Sequence, residues 1–143
     1  MKPREFQYLA ERFAEHGAYP AEFRSAISRA YYAAFHTGFS LLREMGFPIV
    51  QNPYTHEEVY RHLNNSGDAD LAKAASKMND LRTKRNHADY ELNRSDVEKK
   101  DNAKMLVREA AGVIETVEER CHSKNRDKIK GAIQEWKNRL RTS

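Results

Sequence analysis

The feature that most constrains the fold is a long helix-compatible stretch from Pro20 to Gly46. The segment "PAEFRSAISRAYYAAFHTGFSLLREMG" contains no helix breaker other than Gly38. Its apolar residues recur every three or four positions, and further aromatic residues widen the apolar stripe over most of the helix circumference. A helix of this kind either lies at the centre of the domain or also contacts a second chain.

Helical periodicity also dominates the rest of the chain, and no segment has a strand pattern. Gly17 is a natural stop for the first helix, Thr55 with Glu58 predicts a capping box, and Asp68 and Ser95 predict two further helix starts. The predicted helical segments are "KPREFQYLAERFAEH", "HEEVYRHLNN", "ADLAKAASKMNDLRTKRNHA", a long helix after Ser95, and "RDKIKGAIQEWKNRL". "DYELNRS" is predicted to be a loop. We therefore predict an all-α fold, an up-down antiparallel bundle of four main helices plus short helices.

Composition favours a single cytoplasmic domain. The 143 residues suit one core, so we expect one domain over 1–143, in which 124–143 form a basic C-terminal helix. Cys121 is the only cysteine, which rules out an intrachain disulfide. No apolar run approaches the roughly 20 residues of a membrane span, and "MKPREFQYLAERF" has no signal-peptide core, so no membrane partner is expected. The net charge of +4 permits contact with nucleic acid without demonstrating it.

A cluster of cations in "DLRTKRNHADYEL" is the strongest candidate for a site. Arg82, Lys84, Arg85 and His87 fall within six positions. At about 100° per residue, Arg85 lies only about 60° from Arg82, whereas His87 lies about 140° away. Arg82 and His87 can therefore meet only if the helix ends there or a second chain brings them together.

Arginine and histidine together suit phosphodiester cleavage. Histidine exchanges protons near neutral pH, and the guanidinium fork holds a phosphate and stabilises its developing charge. In RNA the 2′-hydroxyl supplies the nucleophile, so no metal is needed. The alternative is structural, with Arg85 paired to Asp80, Asp89 or Glu91 and His87 at the surface.

The helix "RSAISRAYYAAFH" carries a second group of candidate residues. Its small residues allow close helix approach, and Tyr31 and Tyr32 add apolar area with a hydroxyl. Most of this segment is explained by core packing. Arg24 and Arg29, which lie beside the packing face, are the exceptions.

These two segments, in this order, resemble the HEPN family (higher eukaryote and prokaryote nucleotide-binding domains). The likeness covers residues from about 21 to 117 and includes "HEEVYRHL", which resembles the family's His-led third segment. The resemblance implies a helical bundle that dimerises and, in many members, metal-independent RNase activity. The family's RNase signature is an Arg followed, after four to six residues, by a His, and Arg82 and His87 match that spacing.

The resemblance assigns a role to each candidate residue. Arg82 would bind and polarise the scissile phosphate, and His87 would be the general acid or base. The remaining residues would bind RNA or a nucleotide: Arg85, Lys84, Tyr90, Arg24 and Arg29. The expected protein is a homodimeric endoribonuclease, with the toxin of a toxin–antitoxin pair as one expected role.

Two departures keep a different function open. Thr83 follows Arg82 where Asn or Asp is usual, and the Arg85-Asn86 dipeptide reaches Tyr90 rather than a His. Many relatives ending in Ala-Asp-Tyr lack the His. The alternative is a non-catalytic module that binds RNA, a nucleotide or a partner nucleotidyltransferase acting as antitoxin. A structural dimer without a ligand is the third hypothesis.

Neither a metal nor a cofactor is expected. His56 and His62 are six residues apart, which does not place two ligands on one helix face, and there is no Cys pair or phosphate-binding glycine loop. In the basic tail, Trp136 either stacks on a base or packs on the bundle with the charges solvated.

Overall fold

The computed structural model describes residues 1–142, and over this range the fold is all-α with no strand, as predicted. The six helices are α1 (Pro3–His16), α2 (Pro20–Glu44), α3 (Thr55–Asn64), α4 (Ala69–Tyr90), α5 (Lys100–His122) and α6 (Arg126–Thr142). A short 3₁₀ helix, Asp96–Glu98, precedes α5. The predicted basic helix of 124–143 corresponds to α6, and position 143 lies outside the described residues.

Helix α2 is the central element, one of the two positions that its sequence allowed. It packs against α1, α3, α4, α5 and the 3₁₀ helix. Its buried side chains cover most of the helix circumference, and one stripe at helical spacing stays partly or fully exposed: Glu22, Ser25, Arg29, Tyr32, His36, Ser40 and Arg43. The largest of the fully buried side chains are Ile27, Tyr31 and Leu42. Every polar side chain on α2 therefore needs a partner inside the protein or a position at the rim.

Polar contacts between helix ends give the directions of the main helices. Arg4 at the start of α1 bonds Glu118 near the end of α5 at 3.0 Å. Asp68, just before α4, bonds Arg120 near the end of α5 at 2.6 Å. Ser28 in the first third of α2 donates to Asp89 near the end of α4 at 3.0 Å. Each contact joins the start of one helix to the end of another. Helix α1 is therefore antiparallel to α5, and α4 is antiparallel to both α2 and α5.

Two of the predicted boundaries are confirmed at the level of single residues. Gly17 is the C-cap of α1, where its N–H donates to the Phe13 carbonyl oxygen at 2.9 Å. The carboxylate of Asp68 accepts the Leu71 N–H at 3.0 Å, which caps α4. Both signals are local, because each depends on groups within four residues.

Two predicted N-caps are wrong. Thr55 is the first residue of α3 rather than its cap, because its hydroxyl is used by the preceding loop, donating to the Val50 carbonyl oxygen and accepting the Asn52 N–H at 2.7 Å. Ser95 does not start a long helix, since the 3₁₀ turn intervenes and α5 begins at Lys100.

The predicted loop after Ala88 is also displaced. Helix α4 continues through Tyr90, and the Glu91 N–H still reaches the His87 carbonyl oxygen at 3.0 Å. Asp89 belongs to the helix because it pairs with Arg85, one turn earlier, at 3.7 Å. Regular helix geometry therefore extends across the whole Arg82–His87 segment.

Close packing at Gly38 joins α2 to α3 and α4. A Cβ atom at this position would lie 3.2 Å from Val59 and 3.4 Å from both Leu63 and Met78. Glycine is required here by the neighbours rather than by its own backbone conformation. The three helices can approach this closely only because the position has no side chain.

Replacing Gly38 with valine should therefore destabilise the protein by about 1–3 kcal/mol through overpacking. Urea denaturation followed by circular dichroism measures the change. Gly112→Val is the matched control, since a Cβ at Gly112 on α5 meets no atom within 4 Å, and its effect should stay within about 0.5 kcal/mol. Equal effects of the two substitutions would contradict the packing at Gly38.

Candidate functional site

Residues from three distant segments meet at one side of the bundle. We call them the Tyr–His–Arg cluster: Tyr31 and Tyr32 on α2, His56 on α3, and Arg82 and Arg85 on α4. The Tyr31 hydroxyl lies 2.5 Å from His56 Nδ1. The Arg85 guanidinium carbon is 5.7 Å from the centre of the Tyr31 ring and 5.1 Å from that of Tyr32. The cluster joins the tyrosine-rich, histidine-led and arginine-rich segments of the sequence.

Arg85 is the buried arginine of the cluster. It is only 7% exposed, and besides the two tyrosine rings it contacts the carboxylate of Asp89 at 3.7 Å. Asp89 in turn accepts the Ser28 hydroxyl of α2. The Nε of Arg85 is buried and has no hydrogen-bond partner. Arg85 thus lies under the tyrosine rings, and its contact with RNA stays a prediction.

Arg82 is half-buried at the rim and keeps its charge available. Within residues 1–142 it has neither a hydrogen bond nor a carboxylate partner. Its positive charge nevertheless acts on the cluster. It opposes the rise that burial causes in the pKa of Tyr31 and adds to the fall that burial causes in the pKa of His56. Arg82 is therefore the arginine of this segment that can receive an external anion.

His56 is a functional candidate that the sequence interpretation considered only as a metal ligand. Burial lowers its pKa to about 4, and the positive charges of Arg82 and Arg85 contribute to the same shift. Burial raises the pKa of Tyr31, which therefore keeps its proton at neutral pH. The Tyr31 O–H then donates to Nδ1 of a neutral His56, which leaves Nε2 carrying the proton. The one available signal was the His at the start of "HEEVYRHL".

His87 lies on another side of α4. Its Nε2 is 3.5 Å from the Glu91 carboxylate one turn later, and its Nδ1 is buried without a partner. Because α4 is regular to Tyr90, about 140° still separates His87 from Arg82. A single chain therefore does not bring the predicted catalytic pair together.

The remaining cations and Tyr90 occupy different surroundings. Lys84 lies 3.9 Å from Asp96, and both side chains are about 40% exposed, so this ion pair is weak. Tyr90 is 74% exposed, with its ring centre 5.9 Å from the Arg85 guanidinium carbon. Arg29 is exposed on α2 and covers the Phe6 ring of α1 at 5.4 Å. Lys84, Tyr90 and Arg29 remain accessible to a ligand.

Arg24 is a structural residue, contrary to its predicted contact with RNA. Its side chain is 9% exposed, and each of its five N–H groups has an acceptor between 2.8 and 3.3 Å away. The acceptors are the carbonyl oxygens of His87, Ala88, Glu91 and Arg94 and the carboxylate of Glu98. Arg24 thus satisfies the end of α4 and the following loop, and no donor is left for RNA.

An aromatic surface continues from the cluster towards α1. The His36 ring stacks on Phe6 of α1 at 5.9 Å and on Tyr32 at 6.1 Å. Burial lowers the pKa of His36. Half-buried rings beside Arg29 and Arg82 therefore form a surface that suits stacked bases or a second protein chain.

Comparisons of the chain with protein-family models, curated proteins and solved structures gave no match. Residues 1–142 include no helix with the length and apolar character needed to cross a bilayer. Over the same range, no three His, Cys, Asp or Glu side chains are grouped as a metal site. The likeness to the HEPN family stays a prediction based on the motif residues.

Replacing Arg24 with methionine should lower the free energy of unfolding by about 3 kcal/mol, because it leaves buried carbonyl groups and Glu98 without a donor. Urea denaturation measures the loss. Arg12→Met is the matched control, since Arg12 is exposed on α1 and should tolerate the change. A loss no greater than that of Arg12→Met would contradict the capping role.

His56 should titrate at about pH 4 in an NMR titration of the histidine ring resonances. Arg82→Gln should raise this pKa, because it removes a neighbouring positive charge, whereas Arg12→Gln should leave it unchanged. Since folding lowers the pKa, the stabilising contribution of neutral His56 is present near pH 7 and is lost as the pH falls towards 4. A His56 pKa near its ordinary value of about 6.5 would contradict the described environment.

Proposed function

We propose that this protein is a HEPN-type, metal-independent endoribonuclease that acts on single-stranded RNA as a homodimer. The observation that carries the proposal is Arg82, which has no carboxylate partner within residues 1–142 and whose positive charge acts on Tyr31 and His56. An unneutralised guanidinium at the rim of an aromatic surface suits a phosphate with bases on either side.

Binding would use the rim of the Tyr–His–Arg cluster. The Arg82 fork offers two parallel N–H groups to the phosphate oxygens. His56 Nε2–H, oriented through the Tyr31 hydroxyl, supplies a third donor from a neutral group. Tyr90 and Tyr32 present rings on which neighbouring bases can stack.

Cleavage would follow from the 2′-hydroxyl of the bound RNA. A histidine takes the 2′-hydroxyl proton as the oxygen attacks the adjacent phosphorus, and the bond to the 5′-oxygen breaks with protonation of the leaving group. The products are a 2′,3′-cyclic phosphate and a 5′-hydroxyl end. Arg82 stabilises the charge that develops on the phosphate oxygens.

The homodimer is part of the proposal for a geometric reason. Arg82 and His87 of one chain lie about 140° apart on a regular helix. A second copy of α4 facing the first would place the partner's His87 opposite Arg82. The half-buried rings of Phe6 and His36 supply an apolar surface for that contact.

A second function, RNA binding without cleavage, is favoured by the surroundings of His87. Its Nε2 already contacts Glu91 of the same helix, and its Nδ1 is buried. In that case the cluster binds RNA or a nucleotide and the protein works with a partner, for which a minimal nucleotidyltransferase is the candidate. A toxin role with that partner as antitoxin belongs to the same proposal and depends on the family resemblance.

The experiment is a cleavage and binding assay on a fluorescently labelled single-stranded RNA in EDTA. Wild type should cleave it to a product ending in a cyclic phosphate. His87→Ala should bind normally but cleave at least about 100-fold more slowly. Arg82→Gln should bind about tenfold more weakly, whereas Arg12→Gln, which removes an exposed arginine that has no partner within residues 1–142, should bind as wild type does.

Each outcome selects between the hypotheses. Cleavage by His87→Ala at the wild-type rate would contradict its catalytic role. Binding that depends on Arg82 without any cleavage by wild type would leave the non-catalytic module. No RNA affinity at low salt would reject both functions, since binding through phosphates is strongest there.

A further inference from the structure

A cleft between α3 and α6 lies apart from the Tyr–His–Arg cluster. It encloses about 360 Å³, which is within the range of small-molecule sites. The lining residues that matter here are Glu58, Arg61 and His62 of α3 and Trp136, Lys137 and Arg141 of α6. Helix α6 contributes nothing to the cluster and lies outside the segment that resembles the HEPN family. The cleft therefore needs an explanation of its own.

His62, which lines this cleft, carries an unused hydrogen-bond acceptor. The residue is 4% exposed, and its Nδ1 lies 2.7 Å from the Glu58 carbonyl oxygen. Because a carbonyl only accepts, Nδ1 carries the proton and Nε2 holds a lone pair. Nε2 is buried and has no partner. Burial lowers the pKa of His62, so the ring is neutral at pH 7 and Nε2 calls for an N–H or O–H donor.

The walls of the cleft carry a surplus of positive charge. Arg61, Lys137 and Arg141 face a single acid, Glu58. No carboxylate pairs with any of the three cations within the described chain. The Arg61 and Lys137 side chains instead lie over aromatic rings, at 5.8 Å from the centre of Trp136 and 5.4 Å from that of Phe47. An anion entering the cleft would therefore displace no internal ion pair.

Trp136 supplies a flat apolar wall beside the unused acceptor. It is half-buried, and its ring meets that of His62 edge to face at 5.3 Å. A ligand for this cleft needs three properties together: a planar ring, an N–H donor at its edge and a negative charge. Inorganic phosphate lacks the planar ring, and an uncharged nucleoside lacks the negative charge.

We propose that the α3–α6 cleft binds a mononucleotide. The base packs against Trp136 and donates an N–H group to His62 Nε2. The phosphate lies between Arg61, Lys137 and Arg141. This site is independent of the proposed RNA-binding surface, so the protein has a small-molecule site as well as a polymer site.

Tryptophan fluorescence tests the proposal directly, because Trp136 is the only tryptophan in the chain. Titration of the full-length protein with AMP, GMP, CMP or UMP should give a saturable change in emission for at least one nucleotide. Arg61→Gln and Lys137→Gln should each weaken its binding about tenfold, and His62→Leu should weaken it through loss of the acceptor. Arg139→Gln on the same helix, an exposed arginine paired with Glu135, is the matched control and should bind as wild type does.

Several results would overturn the assignment. No saturable change with any of the four nucleotides would exclude the site, as would unchanged affinity in both Arg61→Gln and Lys137→Gln. Competition by inorganic phosphate at the same concentration as the nucleotide would reduce the cleft to an anion site. Arg82→Gln should leave nucleotide binding intact, and loss of binding in that variant would place the nucleotide at the cluster instead.

Discussion

The burial of most of the α2 surface is the constraint on which the rest of the structure depends. A helix packed against several others cannot leave its buried polar side chains unpaired, because burying an unsatisfied donor costs about 1–3 kcal/mol. Arg24, Ser28, Tyr31 and Thr37 are all buried on this helix. Each finds its partner at a defined place on α2 itself or on α3, α4 and the following loop. These bonds set how α3 and α4 lie against α2, and hence where their own polar residues emerge.

Depth below the surface separates the arginines that the sequence presents as equivalent. Arg24 and Arg85 are buried and serve the fold, one by capping α4 and the other by lying under two tyrosine rings. Arg82, three residues before Arg85, reaches the rim and keeps its charge unpaired. The same helix therefore supplies both the support of the candidate site and the group that would contact a phosphate. The proposed nucleotide site follows a similar rule, since the buried acceptor of His62 lies in the same cleft as three cations.

Much of the fold could be predicted because its signals are local. The cap at Asp68, the stop at Gly17 and the helical periodicity each involve residues within one or two turns. The errors came where a distant or competing group used the residue in question. The predicted cap at Thr55 was wrong because its hydroxyl donates to a carbonyl oxygen of the preceding loop. The role of Arg24 was missed because its acceptors lie more than 60 residues away in the sequence.

The sequence by itself determined that the chain is all-helical and that α2 lies either at the centre of the domain or against a second chain. It also showed that arginine, histidine and tyrosine are gathered in three motif segments. Only the tertiary structure decided which of those side chains meet. It bonded His56 to Tyr31 within the field of the Arg82 charge, directed His87 towards Glu91, and placed His62 in the lining of a basic cleft with Trp136. The physical reason is that helix propensity acts within a few residues, whereas burial, pKa and hydrogen-bond partners depend on neighbours from other helices.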